Sequence, residues 1–236
     1  MKLRFIKTIL AVVLSVSSAS AQSAGSSYSV TAEIPYVTSY VFRGVELAKQ
    51  SVQPSITLVS GGFSLGVWTN QPVINLTDDE VDFFGSYDIV LRNDWKLNVG
   101  GTVYWYPELD LRAGGDRTTY EPKLSLGGPL GPVTSTLTLY YDTTLKTSTI
   151  EGTLGYSRPM YNNERDTVDF GVTYGNVSPD AGADYAYWSA SAKAMFRPKE
   201  NLSIYLGAVY ASSNLTSQRN HVYATVGISY SLVHRR

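Results

Sequence analysis

The 236-residue chain contains no cysteine, which excludes a disulfide framework, a thiol nucleophile and a lipid anchor on cysteine. It also lacks a basic excess, since 19 Lys and Arg stand against 20 Asp and Glu, so nothing indicates binding to nucleic acid. After the N-terminal segment no run of about eighteen apolar residues occurs, and a membrane-spanning helix is therefore not expected. The sequence shows no phosphate-binding loop and no multi-histidine metal cluster. We accordingly expect no cofactor and no resident metal.

The first 21 residues have the composition of a secretory signal peptide. Three basic residues precede an apolar run at residues 8–16, and an A-x-A cleavage site ends at Ala21. The mature domain is then predicted to span residues 22–236. Loss of the three basic residues leaves 16 basic and 20 acidic residues, a net charge of −4. An exported domain without disulfides needs its core or a membrane to stabilise it.

The clearest pattern lies near the C-terminus, where apolar residues alternate with small or hydroxylic ones from His221 to Leu232. A period of two predicts a β-strand with one apolar face. About eleven residues tilted by ~45° rise roughly 25 Å, which is the height of the apolar band of an outer-membrane barrel. The opposite face carries Gly, Ser, Thr and Tyr, which suit the wall of a water-filled lumen. The pattern therefore predicts a strand of a transmembrane barrel.

Similar stretches recur along the whole mature chain and number twelve. They cover residues 29–42, 51–59, 62–70, 80–91, 95–106, 118–127, 132–142, 147–157, 166–176, 184–197, 201–211 and 220–232. Short turns alternate with longer polar connectors, as in outer-membrane barrels, which have short periplasmic turns and long external loops. The connector at 158–165 is longer than this pattern expects. We predict an all-β fold: a transmembrane antiparallel up-and-down β-barrel of about 12 strands. A soluble β-sandwich is the alternative, because Tyr and Trp also favour strands in soluble proteins.

One stretch resembles a known family. The sequence TSYVFRGV at residues 38–45 is followed by QPSI at 53–56 and by GFSLGVW at 62–68. This succession is similar to the opening of the TorF-type porins of proteobacteria, in which an S-x-Y-V-F-R-G segment, a Q-P-x-I or Q-P-A-x segment and a G-x-Y-x-G-x-W strand follow one another. The resemblance covers residues 36–70. It implies an outer-membrane barrel and passage of small solutes, and it assigns no binding residues.

The inward positions of the predicted strands carry charges of both signs. They are Glu33, Arg43, Asp82, Asp88, Arg92, Lys96, Glu121, Lys123, Glu151, Asp169 and Lys193. Six acidic and five basic groups indicate weak charge selectivity, and bulky inward rings such as Trp68 and Tyr104 indicate a narrow bore. Each charge could instead belong to an interstrand salt bridge that fills the barrel. The candidate lumen or mouth residues are Arg43, Asp88, Lys96, Glu121, Lys123, Glu151, Asp169 and Lys193, with Arg43 placed at the mouth.

Three functions are compatible with this reading. A porin-like channel for passive passage of small solutes fits best, and a non-conducting barrel that scaffolds envelope partners is the alternative. An outer-membrane lipid-modifying enzyme would need His221 as a base beside Ser212, Ser213 or Ser217. A lone loop histidine is more often solvated, so we expect no enzyme.

The expected location is the outer membrane of a Gram-negative bacterium, and the expected partners follow from it. They are outer-membrane lipid and lipopolysaccharide, the barrel assembly machinery, and small solutes. Residues 225–232 resemble the C-terminal signal that this machinery reads, although a four-residue tail follows them. Loop carboxylates at 78–80, and the pair Asp180 and Asp184, could bind Ca²⁺ or bridge lipopolysaccharide, or could simply be solvated.

Overall fold

The computed structural model describes residues 27–74, 79–109, 116–160, 163–215 and 220–234. The predicted signal peptide at residues 1–21 lies outside the described residues. Within them, no helix is long and apolar enough to cross a bilayer. The strands are β1 (Tyr28–Val37), β2 (Tyr40–Phe42), β3 (Val45–Ala48), β4 (Ser51–Val52), β5 (Ser55–Ser60), β6 (Phe63–Pro72), β7 (Glu80–Val90), β8 (Lys96–Trp105), β9 (Thr118–Leu130), β10 (Val133–Asp142), β11 (Thr147–Met160), β12 (Asn163–Pro179), β13 (Tyr185–Lys199), β14 (Leu202–Ser213) and β15 (His221–His234).

The strands form a closed barrel. From β5 to β15 each strand pairs with the next along the chain, and β1 pairs with β15 from Tyr28 opposite His234 to Val37 opposite Thr225. Both β4 and β5 lie between β1 and β6, so together they form one interrupted strand. All of these pairings are antiparallel. The prediction of a twelve-stranded antiparallel barrel is confirmed.

Alternation along each strand places apolar side chains outside and polar ones inside. In β14, Leu206 exposes 60% of its surface on the outside, whereas the inward Tyr205 exposes 5%. Large apolar side chains are exposed in the same way on the outer face of nearly every strand, for example Leu65, Leu137 and Val172. A soluble sandwich would bury such residues in its core, whereas a membrane barrel presents them to lipid. The alternative of a soluble sandwich is therefore wrong.

Two predicted boundaries are wrong. The sequence predicts one strand over residues 29–42, but β1 ends at Val37 and residues 40–42 pair with β3 instead. The apolar alternation continues across the break, so the pattern does not reveal it. The predicted connector at 158–165 is mostly strand, because β11 extends to Met160 and β12 begins at Asn163. The connection between them is therefore as short as the others at that end of the barrel.

The two ends of the barrel differ in their connectors. Tyr28 and His234 lie at the end with the short turns, which we call the inner end. The longer connectors lie at the opposite, outer end, as expected for a barrel whose termini are periplasmic. The β2–β3 hairpin follows β1 directly and therefore begins at the outer end.

Replacing Leu206 by Arg is expected to destabilise the barrel by about 2–4 kcal/mol, because it places a charge on the lipid face near the middle of β14. Ser203→Arg is the matched control, since Ser203 faces the lumen, and it should cost much less. Tyr205 is less suitable as a control because its hydroxyl donates a hydrogen bond to Glu33. Denaturant unfolding in lipid vesicles measures both variants. Equal costs, or the reverse order, would contradict the assigned faces.

Candidate functional site

The connector after β1 folds into a short hairpin, which we call the lumen hairpin (residues 40–48). Val41 pairs with Glu46 and Phe42 with Val45, so Arg43 and Gly44 form the turn. Their φ angles are +48° and +77°, and a two-residue turn of type I′ requires positive φ at both positions. Glycine adopts this conformation freely, whereas a residue with a Cβ pays about 1–2 kcal/mol. Contacts of the Arg43 side chain must therefore hold this turn in place.

Arg43 forms a bidentate ion pair with the wall of the barrel. Its Nη1 donates to Oε2 of Glu121 on β9 at 2.7 Å, and its Nη2 donates to Oε1 at 2.9 Å. The guanidinium carbon also lies 4.6 Å from the ring centre of Tyr140 on β10 and 4.7 Å from that of Phe42. The two charged side chains expose only 10% and 3% of their surface. Removing one partner from such a buried pair typically costs about 3–5 kcal/mol.

Tyrosine hydroxyls orient the carboxylates around Arg43. The Tyr104 hydroxyl on β8 donates to Oε1 of Glu121 at 2.9 Å. Glu151 on β11 accepts hydrogen bonds from Tyr140, at 3.3 Å, and from Tyr187 on β13. We call this group of Tyr104, Glu121, Tyr140, Glu151 and Tyr187 the guanidinium site. All five residues belong to barrel strands, so the site is built on the rigid part of the fold.

Gly44 packs against the side of the lumen formed by β13 and β14. A Cβ at this position would lie 2.8 Å from Cβ of Tyr187 and 2.9 Å from Cβ of Ser213. Such distances are closer than van der Waals contact allows, so space as well as φ requires glycine here. The turn therefore contacts the wall on both sides of the lumen.

The two strands of the hairpin extend these contacts. The Tyr40 ring lies 5.5 Å from that of Trp68 on β6, and Tyr40 lies beside Glu80 on β7. On the other side, the Glu46 carboxylate lies 4.0 Å from Nδ1 of His221 on β15. The hairpin thus crosses the lumen near its outer end. Most of the buried residues of the described chain, such as Asn70, lie around this level.

The charges of the hairpin itself respond to these contacts. Burial alone would lower the pKa of Arg43, but the hydrogen bonds and the charge of Glu121 raise it above its ordinary value. Burial would raise the pKa of Glu46, but hydrogen bonds from Lys49 and Ser39 lower it. Both groups are therefore charged at neutral pH.

Acidic residues outnumber basic ones beside the hairpin. Glu80 and Asp82 on β7 face inward and are buried, and their charges act on each other. The charge of Glu121 acts on Asp82 as well. Oδ1 of Asp82 is buried and has no hydrogen-bond partner in the structure. Of these carboxylates only that of Glu121 contacts the guanidinium group of Arg43.

The structure brings together only some of the predicted lumen residues. Arg43, Glu121 and Glu151 meet at the guanidinium site, and Arg43 lies against the opposite wall rather than at a strand end at the mouth as predicted. Lys123 lies two residues after Glu121 on the same face of β9. Arg92 belongs to the 3-10 turn Arg92–Asp94 between β7 and β8, so its prediction as a wall residue is wrong.

The remaining predicted residues lie nearer the inner end. Lys96 Nζ on β8 lies 3.6 Å from Asp88 Oδ2 on β7, and this exposed salt bridge joins two neighbouring strands of the wall. Asp169 accepts a hydrogen bond from Ser157 at 2.6 Å and lies opposite Lys193 in the sheet register. Lys193 Nζ lies 5.1 Å from the Tyr205 ring. These charges are spread over the wall and form no single site with Arg43.

The groups considered for catalysis or metal binding are not assembled. Nε2 of His221 and Oγ of Ser213 are both buried without hydrogen-bond partners, so they do not bond each other as a base and nucleophile would. Asp78 lies outside the described residues. Among those described, no cluster of three or more His, Asp or Glu is arranged to hold a metal ion.

Comparisons with known proteins identify a family and a fold. A family described as "Bacterial protein of unknown function (Gcw_chp)" matches residues 21–226. None of the curated proteins compared with the chain matches it. Among solved structures, the NanC porin has a TM-score of 0.57 at 14% identity and covers 86% of this chain and 100% of its own.

Two further structures share the fold. The KdgM porin has a TM-score of 0.56 at 13% identity, covering 86% of this chain and 99% of its own. The COG4313 outer membrane channel from Pseudomonas putida F1 has a TM-score of 0.54 at 9% identity, covering 90% and 97%. Likeness at these identities concerns the fold, which is that of a porin-like outer-membrane barrel.

Proposed function

The chain belongs to the Gcw_chp family of bacterial proteins of unknown function, and we propose that it is a narrow outer-membrane channel for passive passage of small solutes. The observation that carries the proposal is a closed barrel with an apolar outside and a polar inside, a fold shared with the NanC and KdgM porins. Such a barrel lies in the outer membrane, where lipopolysaccharide and the barrel assembly machinery are its proposed partners. The resemblance of residues 36–70 to TorF-type porins stays a proposal, because the shared fold supports a porin-like barrel and not that family name.

The lumen hairpin sets the width of the proposed pathway. It crosses the bore near the outer end, where it contacts β7 and β9 on one side and β13 and β15 on the other. Toward the inner end the wall is lined by side chains that keep contact with solvent, such as Lys96 and Asp88. We therefore place the constriction of the proposed pathway at the level of the hairpin.

The buried contacts of the hairpin also favour a second candidate function. A hairpin that packs on both walls could close the bore, and the barrel would then serve as a non-conducting scaffold for envelope partners. We propose a channel rather than an enzyme. The solved structures of this fold named above are porins and an outer-membrane channel, and His221 has no hydrogen bond to Ser213.

The charges of the wall restrict the proposed solutes. One solved structure shows the KdgM porin in complex with a disordered oligogalacturonate. In this chain, Glu121 and Glu151 at the constriction stand against the single guanidinium group of Arg43, so this level carries no net positive charge to attract a polyanion. Since basic residues balance acidic ones along the rest of the wall, we propose small neutral or cationic solutes and weak ion selectivity overall.

Single-channel recording in planar bilayers tests this function. The wild-type protein is expected to conduct, and replacing Lys123 and Lys193 together by Gln should shift the reversal potential in a salt gradient toward cation preference. The change removes two positive charges from the wall and leaves the carboxylates in place. In a narrow lumen a passing ion lies close to the wall, so the loss of even one charge alters ion selectivity. The matched control, Lys146→Gln with Lys199→Gln, removes two charges from the rims and should shift it less. A folded protein that never conducts would favour the scaffold.

A further inference from the structure

Arg43 is bound as a free guanidinium ligand would be bound. The Glu121 carboxylate accepts hydrogen bonds from both Nη atoms of Arg43, at 2.7 and 2.9 Å. The guanidinium carbon lies 4.6 Å from the ring centre of Tyr140. Bidentate carboxylate pairing and stacking on an aromatic face are the two contacts that distinguish guanidinium recognition from that of a compact ammonium group. The pair is also largely withdrawn from water, which strengthens both contacts.

The receptor and the cation belong to parts of the fold with different rigidity. Glu121 on β9 pairs with Thr102 on β8, Tyr140 on β10 pairs with Lys123 on β9, and Tyr104 fixes the Glu121 carboxylate. Arg43 lies at the tip of a short hairpin that forms its own two-stranded sheet, in a positive-φ conformation unfavourable for a residue with a side chain. The hairpin can therefore leave the wall while the carboxylate and rings stay in place.

The charge of the site exceeds what Arg43 neutralises. Glu151 supplies a second carboxylate beside the one that Arg43 pairs with, since it accepts hydrogen bonds from Tyr140 and Tyr187. Asp82 lies near Glu121, and its Oδ1 is buried with no hydrogen-bond partner. A buried polar oxygen without a partner is costly, so a cationic group that donates hydrogen bonds would be favoured beside Arg43 or in its place. The planar, bidentate contacts around Arg43 match an organic cation of the guanidinium type.

We propose that the guanidinium site binds small solutes that carry a guanidinium group, and that Arg43 occupies the site as a tethered competitor. This inference rests on the proposed channel function, since the site lies at the constriction of the lumen. A guanidinium solute entering from the outer end would exchange with Arg43 on Glu121 and Tyr140. The hairpin would then move away from the wall as the solute binds.

Equilibrium dialysis of the folded protein in detergent tests the site without requiring conduction. The probes are methylguanidinium, methylammonium and the neutral analogue methylurea, each at millimolar concentration. Arg43→Ala is expected to bind methylguanidinium roughly tenfold more tightly than the wild type, since the tethered competitor is gone and one charge-assisted hydrogen bond corresponds to about that factor. Methylammonium should bind more weakly, and methylurea should not bind.

The second variant identifies the residue responsible. Glu121→Gln added to Arg43→Ala should abolish methylguanidinium binding, whereas Glu33→Gln added to Arg43→Ala should keep it, because Glu33 bonds Tyr205 outside the site. Heat-dependent mobility on gels confirms that each variant is folded. Equal binding of methylguanidinium and methylurea to Arg43→Ala, or binding that survives Glu121→Gln, would overturn the proposal. Bilayer recording of the same proteins separates the two ideas: binding without conductance contradicts the channel alone, and conductance without binding contradicts the site alone.

Discussion

Replacing residues 39–49 by a short Asn-Gly turn is expected to raise the single-channel conductance several-fold. These residues include the lumen hairpin, which contacts β9 through the Arg43–Glu121 ion pair and contacts β13 and β14 through Gly44 against Tyr187 and Ser213. The barrel should tolerate the change, because Val37 pairs directly with Ser51 and a tight turn can join two such neighbours. Conductance in planar bilayers is the measurement, with heat-dependent gel mobility as the test of folding.

The matched control shortens a connector that does not enter the lumen. Residues 180–184 between β12 and β13 are exposed, so replacing them by the same turn should leave the conductance close to that of the wild type. If the hairpin variant folds and conducts no better than the control variant, the hairpin is not the constriction. The bore would then be set by the wall itself.

Gly44→Ala is expected to dislodge the lumen hairpin without shortening the chain. A Cβ at Gly44 would lie 2.8 Å from Cβ of Tyr187 and 2.9 Å from Cβ of Ser213. The backbone fixes the position of both Cβ atoms, so side-chain rotation cannot relieve the clash. Positive φ costs the alanine about 1–2 kcal/mol, and overpacking adds typically about 1–3 kcal/mol. The hairpin should therefore lose its contacts with Tyr187 and Ser213. The conductance should then rise and fluctuate between levels.

Gly61→Ala separates the two causes. Gly61 also has positive φ, at +59°, but a Cβ there would have no neighbour within 4 Å. Gly61→Ala introduces the backbone strain without the steric clash. The conductance of this variant should match that of the wild type. Identical behaviour of the two variants would show that the fit of Gly44 between Tyr187 and Ser213 does not hold the hairpin.

The barrel could be predicted from the sequence because a period of two is a local signal. Alternation alone gives the faces of β14, with Leu206 outside and Tyr205 inside, and the turn chemistry gives most strand limits. The family resemblance at residues 36–70 includes the whole lumen hairpin, yet it implied no role for these residues. The hairpin was missed because Tyr40 and Phe42 continue the alternation of β1.

The site could not be predicted because its contacts join distant parts of the chain. Arg43 and Glu121 are 78 residues apart, and only closure of the barrel places β9 opposite the connector after β1. One local signal was present: an Arg-Gly pair between short apolar runs is compatible with a two-residue hairpin turn. The prediction for Arg92 failed for a local reason, because β7 ends at Val90 and Arg92 lies in the 3-10 turn that follows, where strand alternation no longer fixes the direction of a side chain.

The pairing of β1 with β15 bears on the order in which the barrel closes and the lumen hairpin packs against its wall. The lumen hairpin follows β1, but its partners belong to strands as late in the chain as β15, so its contacts have a high sequence separation. Such contacts form late, after the loops between them have closed. We therefore expect the wall to close before the hairpin enters the bore, with Arg43 inserted between Glu121 and Tyr140 after β1 and β15 have paired.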